Sequence, residues 1–182
     1  MGAADPGATR RPRGRRLVVA LALVAGATVA GVIYVARAWP LLNDVTTDVD
    51  DPPPFVALLP LRTQAGATTA YPGLATAHMQ QTAYPDLQPI AIAKAPATAF
   101  AAAVAAVRDL GWTVVAEDPA TGRIEAIATT PLLRFNDDVV IRIRPAAGGS
   151  TVDMRSASRV GRGDLGANAR RVRGFAARMT AP

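Results

Sequence analysis

The densest run of side chains able to do chemistry is Arg155-Ser-Ala-Ser-Arg159-Val-Gly-Arg162-Gly-Asp164-Leu-Gly-Ala-Asn168-Ala-Arg170-Arg171. Arginine forks, the hydroxyls of Ser156 and Ser158 and a following helix N-terminus are groups that together hold a phosphate or carboxylate. Asp164 weighs against an anion there, because a carboxylate at the helix start repels it and itself satisfies the first amides. The competing expectation is structural: Arg155, Arg159 and Arg162 pair with Asp137, Asp138 and Asp153 and fasten the last helix to a sheet. The candidate cluster is therefore Asp137, Asp138, Arg155, Ser156, Ser158, Arg159, Arg162, Asp164 and Asn168, as an anion site or as ion pairs.

Other chemistries fit less well. Gly161, Gly163 and Gly166 satisfy G-x-G-x-x-G. A dinucleotide fingerprint needs a parallel βαβ unit with an acidic residue about 20 positions on, however, and no second strand is expected before Pro182. These glycines are expected to shape a tight strand-to-helix turn. Asp137 and Asp138 are neighbours, but adjacent strand residues point to opposite faces and cannot share a proton or a metal. With no cysteine and His78 as the one histidine, expected on the surface or in packing, neither a metal site nor a cofactor is expected, and catalysis is not the favoured reading.

These residues must be positioned by the elements around them. Ile90 and Ile92 mark a short strand. Pro96–Leu110 is an alanine-rich helix with Phe100, Val104, Val107 and Leu110 on one face and Gly111 as its stop. Strands follow at Trp112–Glu117, Arg123–Thr130, Val139–Arg144 and Thr151–Ser158, the first pair joined by a turn at 118–122 and the last by a hairpin loop at Pro145–Ser150. Placing Arg144 opposite Thr151, Arg142 opposite Asp153, Ile143 opposite Val152 and Ile141 opposite Met154 sets apolar on apolar and plus against minus. A last helix, about Leu165–Met179 with Asp164 as N-cap, turns Leu165, Val172, Phe175, Ala176 and Met179 inward and Arg170, Arg171, Arg173 and Arg178 mostly outward. The expected fold is α+β: an antiparallel sheet of about five strands with two helices on one face, in the order strand, helix, four strands, helix. Upstream, residues 43–61 are acidic and broken by proline and are expected to form neither helix nor sheet but an extended linker lying against the domain; residues 62–89 are expected to be irregular with at most short helical turns.

At the other end, Leu17–Ala36 is a run without charge, long enough at about 1.5 Å per residue to cross a hydrocarbon core of roughly 30 Å. Arg10, Arg11, Arg13, Arg15 and Arg16 precede it, and Asp44, Asp48, Asp50 and Asp51 follow, which predicts a cytoplasmic N-terminus and an exported domain. Tyr34 and Trp39 stand where interfacial aromatics belong. Ala36-Arg37-Ala38 also offers a signal-peptidase pattern, and Arg15-Arg16 a poor twin-arginine match, but the apolar run exceeds the usual signal length of about 7–15 residues. From Asp44 onward 14 Lys+Arg face 13 Asp+Glu, so most of the net charge of +6 lies before Asp44 and no nucleic acid is expected as a partner. The expected organisation is a basic cytoplasmic tail (1–16), a transmembrane helix (17–38) in a bacterial inner membrane, an acidic proline-rich linker (39–87) and a periplasmic α+β domain (88–182).

Phe135-Asn-Asp137-Asp138-Val-Val-Ile-Arg142, followed by the Arg155–Asn168 stretch, resembles the bacterial and chloroplast family known as domain of unknown function 1499. Asp44-Val-Thr-Thr47-Asp48, Pro52-Pro53-Pro54-Phe55 and Ala83-Tyr84-Pro85-Asp86 are similar to its extended proteobacterial form. The resemblance runs from Asn43 to Met179, departs at Gly163 where the family more often has serine, and implies a shared fold and an exported topology but no activity. The functional expectation is a membrane-anchored binding or scaffolding module, with an anionic group or a membrane protein as candidate partner. The alternatives are an envelope enzyme using the Asp/Arg cluster and a purely structural member of a membrane complex.

Overall fold

The computed structural model describes residues 13–38, 40–131 and 134–181; Trp39 and the tail arginines Arg10 and Arg11 lie outside them. The chain divides into two compact units, Met1–Ala38 and Trp39–Pro182. In the first, helix α1 (Arg13–Ala38) contains Leu17–Tyr34, a stretch long and apolar enough to cross a membrane, with none of it buried.

The second unit is a mixed α+β fold. Its elements are β1 (Asp44–Thr46), α2 (Leu59–Gln64), α3 (Leu74–Ala83), β2 (Ile90–Ile92), α4 (Pro96–Asp109), β3 (Thr113–Asp118), β4 (Arg123–Thr129), β5 (Asn136–Ala146), β6 (Gly149–Ser158) and α5 (Ala167–Thr180). The antiparallel sheet runs β1-β6-β5-β4-β3, with β2 pairing further along the β6 edge. The β5–β6 register sets Arg142 opposite Asp153, Arg144 opposite Thr151, Ile143 opposite Val152 and Ile141 opposite Met154, as the charge and apolar alternation predicts. Gly122 closes the β3–β4 turn at φ +66°, where a side chain would strike the Ile143 carbonyl, so only glycine fits.

Period-2 alternation gives the sheet two unlike faces. One presents Ile124, Ala126, Val139, Ile141, Val152 and Met154 to α4 and α5, whose Phe100, Val107, Val172 and Phe175 close the main core. Helix α4 is spaced as expected, with proline in its first turn and Leu110 as its C-cap.

On the opposite face the linker lies against the domain, as expected, but it is more ordered than expected. Residues 43–61 supply β1, a sixth strand where about five were expected, and the stretch 62–89 supplies the ten-residue helix α3. This strap covers the second face, seating Phe55 and Leu58 against Val140 and Ala157. Composition hid it, since prolines and aspartates are typical of solvated linkers. Here Asp44, Asp48 and Asp51 find arginine partners on β5 and β6.

Candidate functional site

Arg155 and Arg159 of the predicted cluster spend their donors on the fold. Arg155, on the strap face of β6 and 1% exposed, forks onto Asp44: its Nε donates to Oδ1 at 2.9 Å and Nη2 to Oδ2 at 2.7 Å. Asp44 lies on β1, not among the three aspartates expected as partners. Asp138 receives two arginines: Arg159, by Nε and by Nη2 at 2.7 Å, and Arg62 of α2, by Nη1 at 2.9 Å. The guanidinium groups of Arg62 and Arg155 both lie over the Phe55 ring, at 4.5 and 4.7 Å from its centre. The hydrogen bond to Asp138 chiefly raises the Arg159 pKa, whereas burial pushes Arg62 below its ordinary value against the pull of Asp138. Glu125 of β4, fully buried, accepts the backbone amides of Val56, Ala57 and Leu58 and so pins the start of the strap's first helix.

Asp137 and Asp138 face opposite sides of the sheet, as strand geometry requires. Asp137, on the helix face, accepts Arg171 Nη2 at 2.6 Å. Arg171 was expected outward, but it turns into a polar knot in which its Nη1 donates to Ser156 Oγ and Asn168 Oδ1. Ser156 also donates to Asn168, and Asn168 Nδ2 donates to Ser158 Oγ. Asp153 pairs with Arg142 and Arg144 rather than with Arg155, Arg159 or Arg162, and burial raises its pKa despite them. Arg162, expected to pair, makes no ion pair among the described residues and is exposed. Asp164 does bind helix amides, those of Gly166 and Asn168, from two residues further out than expected, because α5 begins at Ala167. Leu165, expected inward, is 58% exposed and sits at φ +52°. Gly161 and Gly166 take positive φ in the strand-to-helix turn, the role expected of them.

Beside the knot lies a feature that periodicity did not show. Between the ends of β4 and β5, the turn after β6 and α5 opens a cleft of about 1060 Å³. Its floor is Ala128, Asp137, Ser158 and Arg171, and its walls include Leu110 and Trp112, the latter stacked on Phe175. Phe135, Val160 and Leu165 form the rim, each about half exposed. A large, mostly apolar concavity with a few fixed polar groups is the form taken by small-molecule sites of roughly 300–1,000 Å³. The signal was the apolar character of Val160 and Leu165 inside an otherwise polar stretch. Among the described residues no three His, Cys, Asp or Glu side chains converge as metal ligands.

An α+β unit with a six-stranded antiparallel sheet, two helices on one face, a charge-fastened strap on the other and an apolar N-terminal helix ahead of it defines the class of molecule. The chain belongs to the DUF1499 family of proteins of unknown function, whose family model matches residues 44–179. No curated protein matches it.

Proposed function

We propose that the chain is a membrane-anchored binding module whose ligand site is the cleft at the β4–β5–α5 end of the sheet, with the Asp/Arg cluster serving to hold the fold. In this reading α1 crosses a bacterial inner membrane with the basic tail in the cytoplasm, and the folded unit is periplasmic. The observation that carries it is the contrast between the two regions: the guanidinium groups of Arg155 and Arg62 are buried and paired, while Phe135, Val160 and Leu165 leave apolar surface open around a concave site. Exposed apolar patches lining a concavity mark binding sites, because solvent exposure of such side chains brings no stability of its own. The ligand is expected to be apolar along most of its length, with one polar end able to meet Arg171, Ser158 or Arg170.

An anilinonaphthalene sulfonate dye tests this on the unit from residue 40 onward. Saturable binding that is lost in Leu165→Asp and kept in Arg173→Ala is expected; equal binding by parent and Leu165→Asp would remove the cleft as the site. A scaffolding role is the second reading, favoured by the strap's exposed Leu59, Leu61, Leu74 and Met79.

A further inference from the structure

We infer that the occupant of the cleft is an acyl chain of an anionic phospholipid, taken from the membrane that α1 crosses; this rests on the anchor and cleft reading above.

The covalent chain is the first argument. Trp39, Pro40 and Leu41 alone separate Ala38, the last residue of α1, from Leu42, which is 2% exposed within the core of the folded unit. Four Cα-to-Cα steps reach at most about 14 Å. Leu42 is itself next to the cleft rim: its carbonyl accepts the Asp164 amide at 3.0 Å, and the Leu41 side chain lies beside Gly163. Asp164 and Gly163 both line the cleft. Along the chain, then, three residues separate the apolar helix from a core residue that is hydrogen-bonded to the cleft lining.

The rim is built for a lipid surface. Leu41 is 73% exposed, Val160 52% and Phe135 48%. Leu165, on this rim, is one of two residues other than glycine with positive φ among the described residues. A leucine held in left-handed backbone is strained, and such strain collects where it serves a site. Arg162 stands between two lining glycines with no ion pair among the described residues, and Arg170 lines the cleft while exposed. Apolar side chains interleaved with exposed arginines match the acyl-to-headgroup boundary of an anionic leaflet. Along the wall, Trp112, Leu110 and Ala128 suit an alkyl chain, beside the polar floor of Asp137, Ser158 and Arg171.

The two tryptophans of the chain allow the anchor and the cleft to be read separately. Full-length protein is reconstituted into vesicles of phosphatidylglycerol or phosphatidylcholine carrying dibrominated acyl chains. Trp39→Phe reports Trp112 alone, and Trp112→Phe reports Trp39. Quenching of both is expected, with Trp112 quenched more in phosphatidylglycerol. Leu165→Asp and Val160→Asp, both at exposed positions, abolish the Trp112 quench and leave that of Trp39. Arg162→Glu lowers the preference for phosphatidylglycerol roughly fivefold. Quenching of Trp39 with Trp112 untouched, or Trp112 quenching that survives both aspartate variants, overturns the lipid occupant while the anchor stands. Neither tryptophan quenched overturns the anchor as well.

Discussion

Arg159 and Asp138 form a forked pair, Nε and Nη2 of one against the carboxylate of the other, at 3.0 and 2.7 Å. The same carboxylate is reached from the strap by Arg62, so Asp138, fully buried, ties the turn before α5 and the strap before β2 to one point on β5. Removing one arginine leaves Asp138 a partner, whereas removing Asp138 strands a buried Arg62. Breaking a buried pair costs about 3–5 kcal/mol. Asp138→Ala should therefore lower the melting temperature of the folded unit by roughly 10 °C, and Arg159→Ala, on a side chain 14% exposed, by less. Equal melting of Asp138→Ala and parent would contradict the structural role.

Glu125 supplies a second fastening. Its replacement by alanine leaves the amides of Val56, Ala57 and Leu58 without their acceptor, at about 1–3 kcal/mol for a buried unsatisfied group. Hydrogen exchange at those three amides should accelerate in Glu125→Ala well before the β5–β6 amides change. Uniform acceleration across the sheet would show that the strap and sheet do not open separately.

Tyr71 predicts an alkaline limb. Burial, with the nearby Asp44 charge adding to it, pushes its hydroxyl from 10.0 up to about 12, and the hydroxyl has no hydrogen-bond partner. In this window the unfolded tyrosine has lost its proton while the folded one keeps it, so stability falls as pH rises from about 10 to 12. Tyr71→Phe should flatten that part of the pH–stability curve and cost nothing at neutral pH. A neutral-pH loss would mean that the hydroxyl is engaged.

Topology is checked by fusion. Alkaline phosphatase joined after Pro182 should be active in a bacterial host, and a reporter that functions only in the cytoplasm should be dark. The reverse pattern would contradict the proposed orientation. A mature chain beginning at Trp39 would show that Ala36-Arg37-Ala38 is cleaved.

What the sequence made legible followed from local rules. The β5–β6 register came from Arg142 against Asp153 and Ile141 against Met154, pairs in one hairpin. The opposed faces of Asp137 and Asp138 follow from strand periodicity alone. That the linker lies against the domain was legible, but its fastenings were not, because they join residues far apart: Arg62 to Asp138 across 76 positions and Arg155 to Asp44 across 111. One hint was present. Glu125 in the middle of Ile-Glu-Ala and Arg155 in the middle of a long strand are charges that a solvated face would place without cost, but Phe55 and Leu58 needed an apolar surface to cover. The cleft was hidden for another reason: its walls come from strand ends, a turn and α5, and no single period connects Trp112, Phe135 and Leu165.

The most direct test sets the arginine cluster against the cleft in one melting experiment. The unit from residue 40 onward and its Arg159→Ala variant are melted alone, with inorganic phosphate, and with lauric acid below its micellar concentration. Lauric acid should raise both melting temperatures by the same amount, phosphate should raise neither, and the variant should start lower than the parent. Phosphate stabilising the parent but not Arg159→Ala, with lauric acid without effect, would contradict the account and return the site to the arginines.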